Sequence, residues 1–238
     1  MPIEDNYEDE SKNDQYHLED YSKVCCEGAI GYVSGFLHRS LERSGSAPRR
    51  NRLLKRSDLF EVLEVGAGAG QHAEYVKHLF GSLTQCDIRP QNIPDIASDS
   101  RITKLCDSID AEELPFADSC YDRLIATCLL AHLTFPEKAL SEWKRVVRQG
   151  GVISIYVPCE PGILLRFFQS ITTRRKQKSL GYDARLLHYR EHKNHYPGMM
   201  TLIHHVFDSN VSTTNYPFPF LGWNFNLWTI VQIESLNK

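Results

Sequence analysis

The middle of the chain alternates between continuous apolar runs and stretches in which apolar residues recur at helical spacing. Residues 59–65 read Leu-Phe-Glu-Val-Leu-Glu-Val, which is typical of a strand buried on both faces. Apolar residues then follow helical spacing from Gln71 to Phe80, which predicts a helix directly after that strand. Further strands are predicted over residues 82–86, 102–106, 123–128, 152–157, 211–216 and 227–234, and further helices over residues 21–43, 136–147, 163–171 and 196–207. This order indicates an α/β fold around a mostly parallel sheet.

Three glycines separate the first strand from the helix predicted after it. Gly66, Gly68 and Gly70 alternate with alanines, and a glycine turn lets a ligand approach the backbone closely. The dinucleotide fingerprint G-x-G-x-x-G fails at Gln71 when counted from Gly66, and counted from Gly68 it fits only the relaxed form that ends in alanine. No P-loop pattern occurs. The Glu64 carboxylate, two residues before the first glycine, would repel a pyrophosphate but suits a cationic ligand.

The stretch from Glu64 to Gly70 resembles the first motif of the class I S-adenosylmethionine-dependent methyltransferases. The resemblance extends over about residues 59–158 and is closest to the branch that methylates quinones, sterols and sugars. It implies a Rossmann-like, doubly wound sheet of seven mostly parallel strands, with an antiparallel last strand and a helical substrate lid. It also implies S-adenosyl-L-methionine as the cofactor. The residues that would hold its methionine end are Glu64, Gly66, Ala67, Gly68 and Gly70.

The nucleoside part of the cofactor has its own candidates. Asp87 ends the second predicted strand, 19 positions after Gly68, where a carboxylate can accept hydrogen bonds from a ribose diol. Ile88 follows it. Residues 107–122 resemble a family segment that binds adenine, and this role falls either to Asp107 or to Asp110 with its neighbours. The complete set of nucleoside candidates is Asp87, Ile88, Asp107, Asp110, Ala111, Glu112 and Thr127.

The acceptor side is expected at the carboxyl end of the fourth strand and in an insertion after the fifth. Three histidines are candidates for a catalytic base, namely His132, His188 and His192. Residues 174–178 form a basic cluster that is either a solvated helix end or a seat for an anionic group of the substrate. Residues 188–192 also match the H-x-x-E-H pattern of one class of zinc peptidase, but that reading explains no feature of the glycine motif. No metal is expected.

The chain divides into four predicted parts. They are an acidic mobile segment over 1–20, the cofactor-binding core over 21–158, the helical lid over 159–197, and a helix and β-hairpin over 198–238 that complete the sheet. The first 20 residues hold eight carboxylates and one lysine, which is typical of a mobile segment.

Composition limits the kinds of binding partner and the cellular compartment that we expect for this chain. The net charge of −3 argues against a dedicated nucleic-acid binder. The chain has no apolar run long enough for a membrane span and no signal core. Its seven cysteines show no C-x-x-C spacing, which favours reduced thiols in the cytoplasm.

The predicted function is methyl transfer from S-adenosylmethionine to an oxygen or nitrogen of a small molecule, such as a sugar or a phosphate-bearing metabolite. The first alternative is a quinone or lipid, methylated on carbon or oxygen. A module that binds the cofactor without catalysis is the alternative from another class. The oligomeric state is left open.

Overall fold

A computed structural model of the chain describes residues 29–43, 60–68, 70–76, 78–88, 101–105, 109–180, 189–208 and 210–235. Within these ranges the side chains at 29–34, 103–105 and 172–180 are not described. The predicted acidic segment, Asp107 and His188 therefore lie outside the described residues.

Seven strands form one sheet, as predicted, in the order β3-β2-β1-β4-β5-β7-β6. Strands β1 to β5 pair in parallel, β7 runs antiparallel to both of its neighbours, and β6 closes the far edge. The strands are β1 Phe60–Val65, β2 Phe80–Cys86, β3 Ile102–Leu105, β4 Tyr121–Ala126, β5 Val147–Pro158, β6 Val211–Tyr216 and β7 Trp228–Glu234. Strands β4, β5 and β7 have the longest continuous runs of buried residues, which agrees with their apolar sequences.

Helices cover both faces of the sheet. They are α1 Ala29–Arg43, α2 Pro136–Val146, α3 Ile163–Leu180 and α4 Tyr196–Phe207. On one face, α2 and α4 bury Trp143 and Ile203 in the larger hydrophobic cluster. On the other face, α1 buries Leu41 against Val62 of β1 and Ile125 of β4. No helix among the described residues has the length and apolar character needed to cross a bilayer.

The helix predicted from Gln71 to Phe80 is wrong. The structure has a single 3-10 helix there, Gln71–Tyr75, and Phe80 already begins β2, opposite Phe60 of β1. His72 is buried within this short helix and is bonded to side chains of α1. Tertiary contacts of His72 and the pairing of Phe80 therefore override the local helical pattern.

Other element boundaries also differ from the prediction. Strand β4 ends at Ala126, so Cys128 lies in the following loop, with a left-handed backbone (φ 57°). Strand β5 begins at Val147 instead of at residue 152, so the Gln149–Gly151 stretch lies in its irregular first part. Gly150 takes a φ of 75° there, which glycine tolerates without steric strain.

A buried polar network joins α1 to the centre of the sheet. Arg123 of β4 is fully buried, and its Nη2 donates to Glu42 Oε1 of α1 at 2.7 Å. Glu42 Oε1 also accepts from His72 Nε2 at 3.2 Å, and His72 Nδ1 lies 2.8 Å from His38 Nδ1. Arg123 Nη1 is buried with no hydrogen-bond partner among the described residues. The network therefore depends on the Glu42 carboxylate to neutralise a cation in the core.

Replacing Arg123 by Met should unfold the protein more readily, because Glu42 would keep its charge in the core without its cation. The expected loss in the free energy of unfolding is about 3–5 kcal/mol. The double variant Arg123→Met/Glu42→Gln should recover part of that loss, since no charge remains. Lys138→Met removes an exposed pair with Glu113 and should change stability by less than about 1 kcal/mol. Urea unfolding of the four proteins measures these values, and equal losses in the single and double variants would contradict the argument.

The same network should make stability fall in acid. Burial, together with the adjacent His72, lowers the pKa of His38 from 6.5 to about 3. Burial alone would raise the pKa of Glu42, but hydrogen bonds from His72 and Arg123 outweigh it and lower the pKa from 4.5 to about 2. Both groups bind protons more weakly when folded, so stability rises with pH within each window.

The free energy of unfolding should begin to fall below about pH 6.5 through His38 and fall further below about pH 4.5 through Glu42. His38→Gln should flatten the upper part of this dependence. Urea unfolding at a series of pH values measures it. An unchanged slope between about pH 6.5 and pH 5 in that variant would show that His38 is not responsible.

Candidate active site

The carboxyl ends of β1, β2 and β4 meet at one edge of the sheet. Strand β1 lies between β2 and β4, so the chain leaves β1 on one side and returns on the other. In open α/β sheets this reversal of strand order leaves a crevice in which ligands bind. The glycine turn after β1, Asp87 after β2 and Thr127 after β4 all stand at this edge.

The glycine turn is fixed to the end of β2. The backbone N–H groups of Gly66 and Ala67 both donate to the Cys86 carbonyl, at 2.9 and 3.0 Å. Gly66, Gly68 and Gly70 all have left-handed backbones, with φ of 69°, 53° and 72°. A Cβ at Gly66 would lie 2.9 Å from Leu129, and one at Gly70 would lie 2.8 Å from Gln85. A Cβ at Gly68 would meet no described atom within 4 Å, so Gly68 is the position that is open to a ligand.

Asp87 lies beside that open glycine. Its Oδ2 accepts a hydrogen bond from the Gly68 N–H at 2.9 Å, which joins the turn to the end of β2. Ile88, the next residue, is 53% exposed. The pair offers a carboxylate and an adjacent apolar surface at the mouth of the crevice.

Glu64 lies beneath the turn rather than at its surface. It is 1% exposed, and Gln85 Nε2 donates to its Oε2 at 2.7 Å. The same Gln85 nitrogen lies 3.1 Å from the Gly70 carbonyl. Burial raises the pKa of the Glu64 carboxyl. In this structure, Glu64 reaches the glycine turn through Gln85.

The segment predicted to bind adenine begins beside Asp87 and then packs onto α2. The Ile109 N–H donates to the Asp87 carbonyl at 3.1 Å, and Asp110 Oδ1 accepts from the Glu112 N–H at 2.9 Å. Glu112 is buried, and its Oε1 accepts from the Thr134 and Phe135 N–H groups, at 3.0 and 2.8 Å, just before α2.

This segment brings Asp110 near the nucleoside edge and gives the Glu112 carboxylate a structural bond. Ala111 is buried, and its carbonyl accepts from Trp143 Nε1 of α2 at 3.3 Å. Thr127 is half-buried in the loop after β4.

Two of the three predicted histidines meet on the other side of the crevice. The rings of His132 and His192 pack edge to face, with centroids 4.7 Å apart. His192 Nδ1 donates to the buried Glu160 Oε2 at 2.8 Å, and His132 Nδ1 donates to the Glu191 carbonyl at 3.0 Å. The stretch containing His192 is held by Asn194, whose Nδ2 donates to the carbonyls of Leu130 and Leu133, at 3.1 and 2.7 Å.

Glu160 and Asn194 were not predicted as site residues. No short motif marks either of them, because each acts on a residue more than 30 positions away. One feature of the sequence could have pointed to Glu160. An acidic residue directly after a strand as apolar as β5 is close to the core, and a carboxylate buried there needs a hydrogen-bonding partner.

Comparison with known proteins agrees with this geometry. Residues 63–155 match the protein family described as a methyltransferase domain. The malonyl-[acyl-carrier protein] O-methyltransferase of Pectobacterium atrosepticum is 26% identical over 181 residues, which span 73% of this chain and 71% of that protein. The chain belongs to the class I S-adenosylmethionine-dependent methyltransferases.

Solved structures share the fold of this methyltransferase. An S-adenosylmethionine-dependent methyltransferase from Thermotoga maritima superimposes with a TM-score of 0.58 and 17% identity, over 92% of this chain and 95% of that one. The CurJ carbon methyltransferase superimposes with a TM-score of 0.60 and 16% identity, over 92% of this chain and 58% of that one.

The crevice fits S-adenosylmethionine, the cofactor of this family. The open, left-handed Gly68 leaves room for a ligand against the backbone, and the Asp87 carboxylate is an acceptor for hydroxyl groups. Between Gly70 and β2, the described residues form only one short 3-10 helix. They therefore lack the long helix dipole that favours a pyrophosphate in dinucleotide-binding proteins, and S-adenosylmethionine carries no phosphate.

A side chain at Gly68 should remove cofactor binding without unfolding the methyltransferase. Gly68→Val places a β-branched group in the open space, at a φ that such residues rarely adopt. Gly150→Val is a matched control, because Gly150 has a similar φ of 75°, also meets no described atom within 4 Å of a Cβ, and lies at the start of β5, far from the turn.

Both variants should lose about 1–3 kcal/mol of stability through backbone strain. Calorimetric titration with S-adenosylmethionine should show lost binding only for Gly68→Val. Normal affinity in Gly68→Val would mean that Gly68 does not face the cofactor.

Proposed function

We propose that this methyltransferase holds the nucleoside of S-adenosylmethionine at Asp87 and transfers the methyl group to a small molecule with an apolar part. The observation that carries the cofactor assignment is the bond from the Gly68 N–H to Asp87 Oδ2, since it puts a carboxylate at the one open position of the glycine turn. S-adenosylmethionine supplies a methyl group that its sulfonium has already activated. The protein's task is therefore mainly to align the acceptor with that methyl group.

The cofactor residues divide into two roles in this proposal. Asp87 accepts the ribose hydroxyl groups, the exposed Ile88 side chain covers an adenine face, and the backbone at Asp110 and Ala111 lines the adenine edge. Gly66, Ala67, Gly68 and Gly70 let the methionine end approach the turn, which Glu64 supports from below through Gln85. The Glu112 carboxylate contributes indirectly, because its bonds to the start of α2 hold the adenine segment in place.

The acceptor binds, in this proposal, between the loop after β4 and the lid over residues 159–197. Helix α3 lies in that lid and exposes several large apolar side chains, and the aromatic loop before β7 exposes more. Phe167 of α3 is 59% exposed and Phe220 of the loop is 82% exposed. The full set is Ile163, Phe167, Phe168 and Ile171 of α3 with Phe218, Phe220, Leu221 and Phe225 of the loop.

A large apolar patch exposed on a protein surface usually marks a site that binds a ligand or a partner. These exposed side chains favour an acceptor with an acyl, quinone or lipid-like part over the polar sugar or phosphate metabolite that heads the sequence-based prediction. The relative from Pectobacterium atrosepticum separately supports an acyl acceptor, since its name gives a malonyl group on a carrier protein as the acceptor and oxygen as the methylated atom. The basic residues at 174–178 belong to α3, and their side chains lie outside the described part of the chain.

A direct test combines cofactor binding with product detection. The full chain is incubated with methyl-labelled S-adenosylmethionine and three acceptor sets, namely malonyl and longer acyl thioesters, quinones, and sugar phosphates. Mass spectrometry identifies any labelled product. We expect label in an acyl or quinone acceptor, and label confined to sugar phosphates would reverse the acceptor assignment.

Asp87 provides the test of the cofactor assignment. Asp87→Ala removes a charged acceptor whose hydrogen bonds are typically worth about 1.5–3 kcal/mol, so cofactor affinity should fall at least about tenfold. Asp87→Asn keeps one acceptor oxygen and should lose less. Asp118→Ala, an exposed carboxylate in the loop before β4, should bind S-adenosylmethionine normally. Unchanged affinity in folded Asp87→Ala would remove Asp87 from the site.

A further inference from the structure

The loop after β4 and the end of the lid bring together three side chains that bind metals. Cys128, His132 and His192 each offer one ligand atom, and these three atoms lie within 4.8 Å of one another. A tetrahedral Zn²⁺ site with ordinary bond lengths has its nitrogen and sulfur ligands about 3.3–3.8 Å apart. Small side-chain movements would therefore close the cluster around an ion.

Both histidines are oriented as metal-ligating histidines are. His192 Nδ1 donates to Glu160 Oε2, and His132 Nδ1 donates to the Glu191 carbonyl. These bonds place the proton on Nδ1 and the lone pair on Nε2. Ligating histidines nearly always donate their second ring N–H to a carboxylate or a carbonyl in this way.

Glu160 is itself held in position. It is buried, and its Oε1 accepts from Gln169 Nε2 of α3 at 3.0 Å. Binding of a divalent cation would deprotonate the Cys128 thiol. The resulting thiolate and the Glu160 carboxylate would together balance the charge of the ion.

We propose that Cys128, His132 and His192 bind one thiophilic divalent cation, with Zn²⁺ as the best match. One sulfur and two imidazole nitrogens suit Zn²⁺, whereas Mg²⁺ and Ca²⁺ require oxygen ligands. Three protein ligands leave a fourth position for water or an acceptor atom, as in catalytic zinc sites. Cys128 and His132 are partly exposed whereas His192 is buried, so the cluster is accessible from the side of Cys128 and His132.

This site changes the role of the histidines. A histidine whose lone pair binds a cation cannot accept a proton from the acceptor, so His132 and His192 would not act as bases while the ion is bound. The metal site depends on neither the identity of the acceptor nor the cofactor assignment. The H-x-x-E-H pattern at residues 188–192 contributes His192 to it, with partners from the loop after β4 instead of the peptidase arrangement.

The test uses the full chain, purified under reducing conditions without chelator. Added Zn²⁺ is measured by elemental analysis after dialysis, and added Co²⁺ by absorption, because a thiolate ligand gives Co²⁺ a charge-transfer band. We expect one ion per chain and a thiolate band. Cys128→Ser should remove the band, and His132→Gln and His192→Gln should each weaken binding at least about tenfold.

Two further variants test whether the loss of metal binding is specific to this site, as opposed to binding by another thiol or misfolding of the protein. Glu160→Gln should weaken binding about 10–100-fold while keeping the thiolate band, because it touches only the orienting hydrogen bond. Cys120→Ser, a partly buried cysteine at the opposite end of β4, should bind like the parent protein. Circular dichroism verifies that each variant is folded.

Two results would overturn the proposal. The first is a thiolate band that survives Cys128→Ser, which would assign the ion to one of the other six cysteines. The second is binding by the parent protein that does not exceed that of folded His192→Gln. Both readouts are independent of methyl transfer, so they stand whatever the acceptor test finds.

Discussion

The buried ion pair between Arg123 and Glu42 is the interaction on which the arrangement of this methyltransferase most depends. Arg123 lies in β4, opposite Val62 of β1 and Val152 of β5, where an unpaired cation would be prohibitive. Its partner comes from α1, far away in the sequence. The same carboxylate accepts from His72, directly after the glycine turn. One oxygen atom of Glu42 therefore connects the N-terminal helix, the central strand and the segment that follows the cofactor turn.

The two sides of the crevice are built in different ways. The proposed cofactor side is made by residues close to strand ends, and its bonds run between neighbouring strands, as between the Gly66 N–H and the Cys86 carbonyl. The proposed acceptor side is made by the loop after β4 and the insertion, which hold each other mainly through Asn194 and the bond from His132 to the Glu191 carbonyl. The first arrangement is set by sheet pairing and is common to the fold. The second depends on side chains of this chain, which is where differences in acceptor would be expected to arise.

The amino-acid sequence was sufficient to predict the parts of the structure that are determined by the pairing of β-strands. The seven strands follow from buried apolar runs, and the position of Asp87 beside Gly68 follows from the rule that parallel neighbours end at the same edge. The antiparallel last strand was expected only from the resemblance to the family. The sequence was insufficient where distant side chains compete with local preference. His72 is drawn into contacts with α1, so the helix predicted from Gln71 shortens to one turn. The meeting of Cys128 with His192 could not be predicted either, because it depends on how the insertion folds back, and no periodicity encodes that.

The position of Glu42 shows that the domain matched by sequence comparison differs from the part of the chain needed for a stable fold. The unit that the family match delimits, residues 63–155, contains Arg123 but not the carboxylate that neutralises it. It also omits β7, which pairs with β5 along seven residues. The unit that sequence comparison detects is thus smaller than the unit that can fold, and a fragment cut to the matched boundaries would expose both a core cation and an open strand edge. We therefore expect the cooperative folding unit to include α1 and β7, two elements that carry none of the cofactor motif.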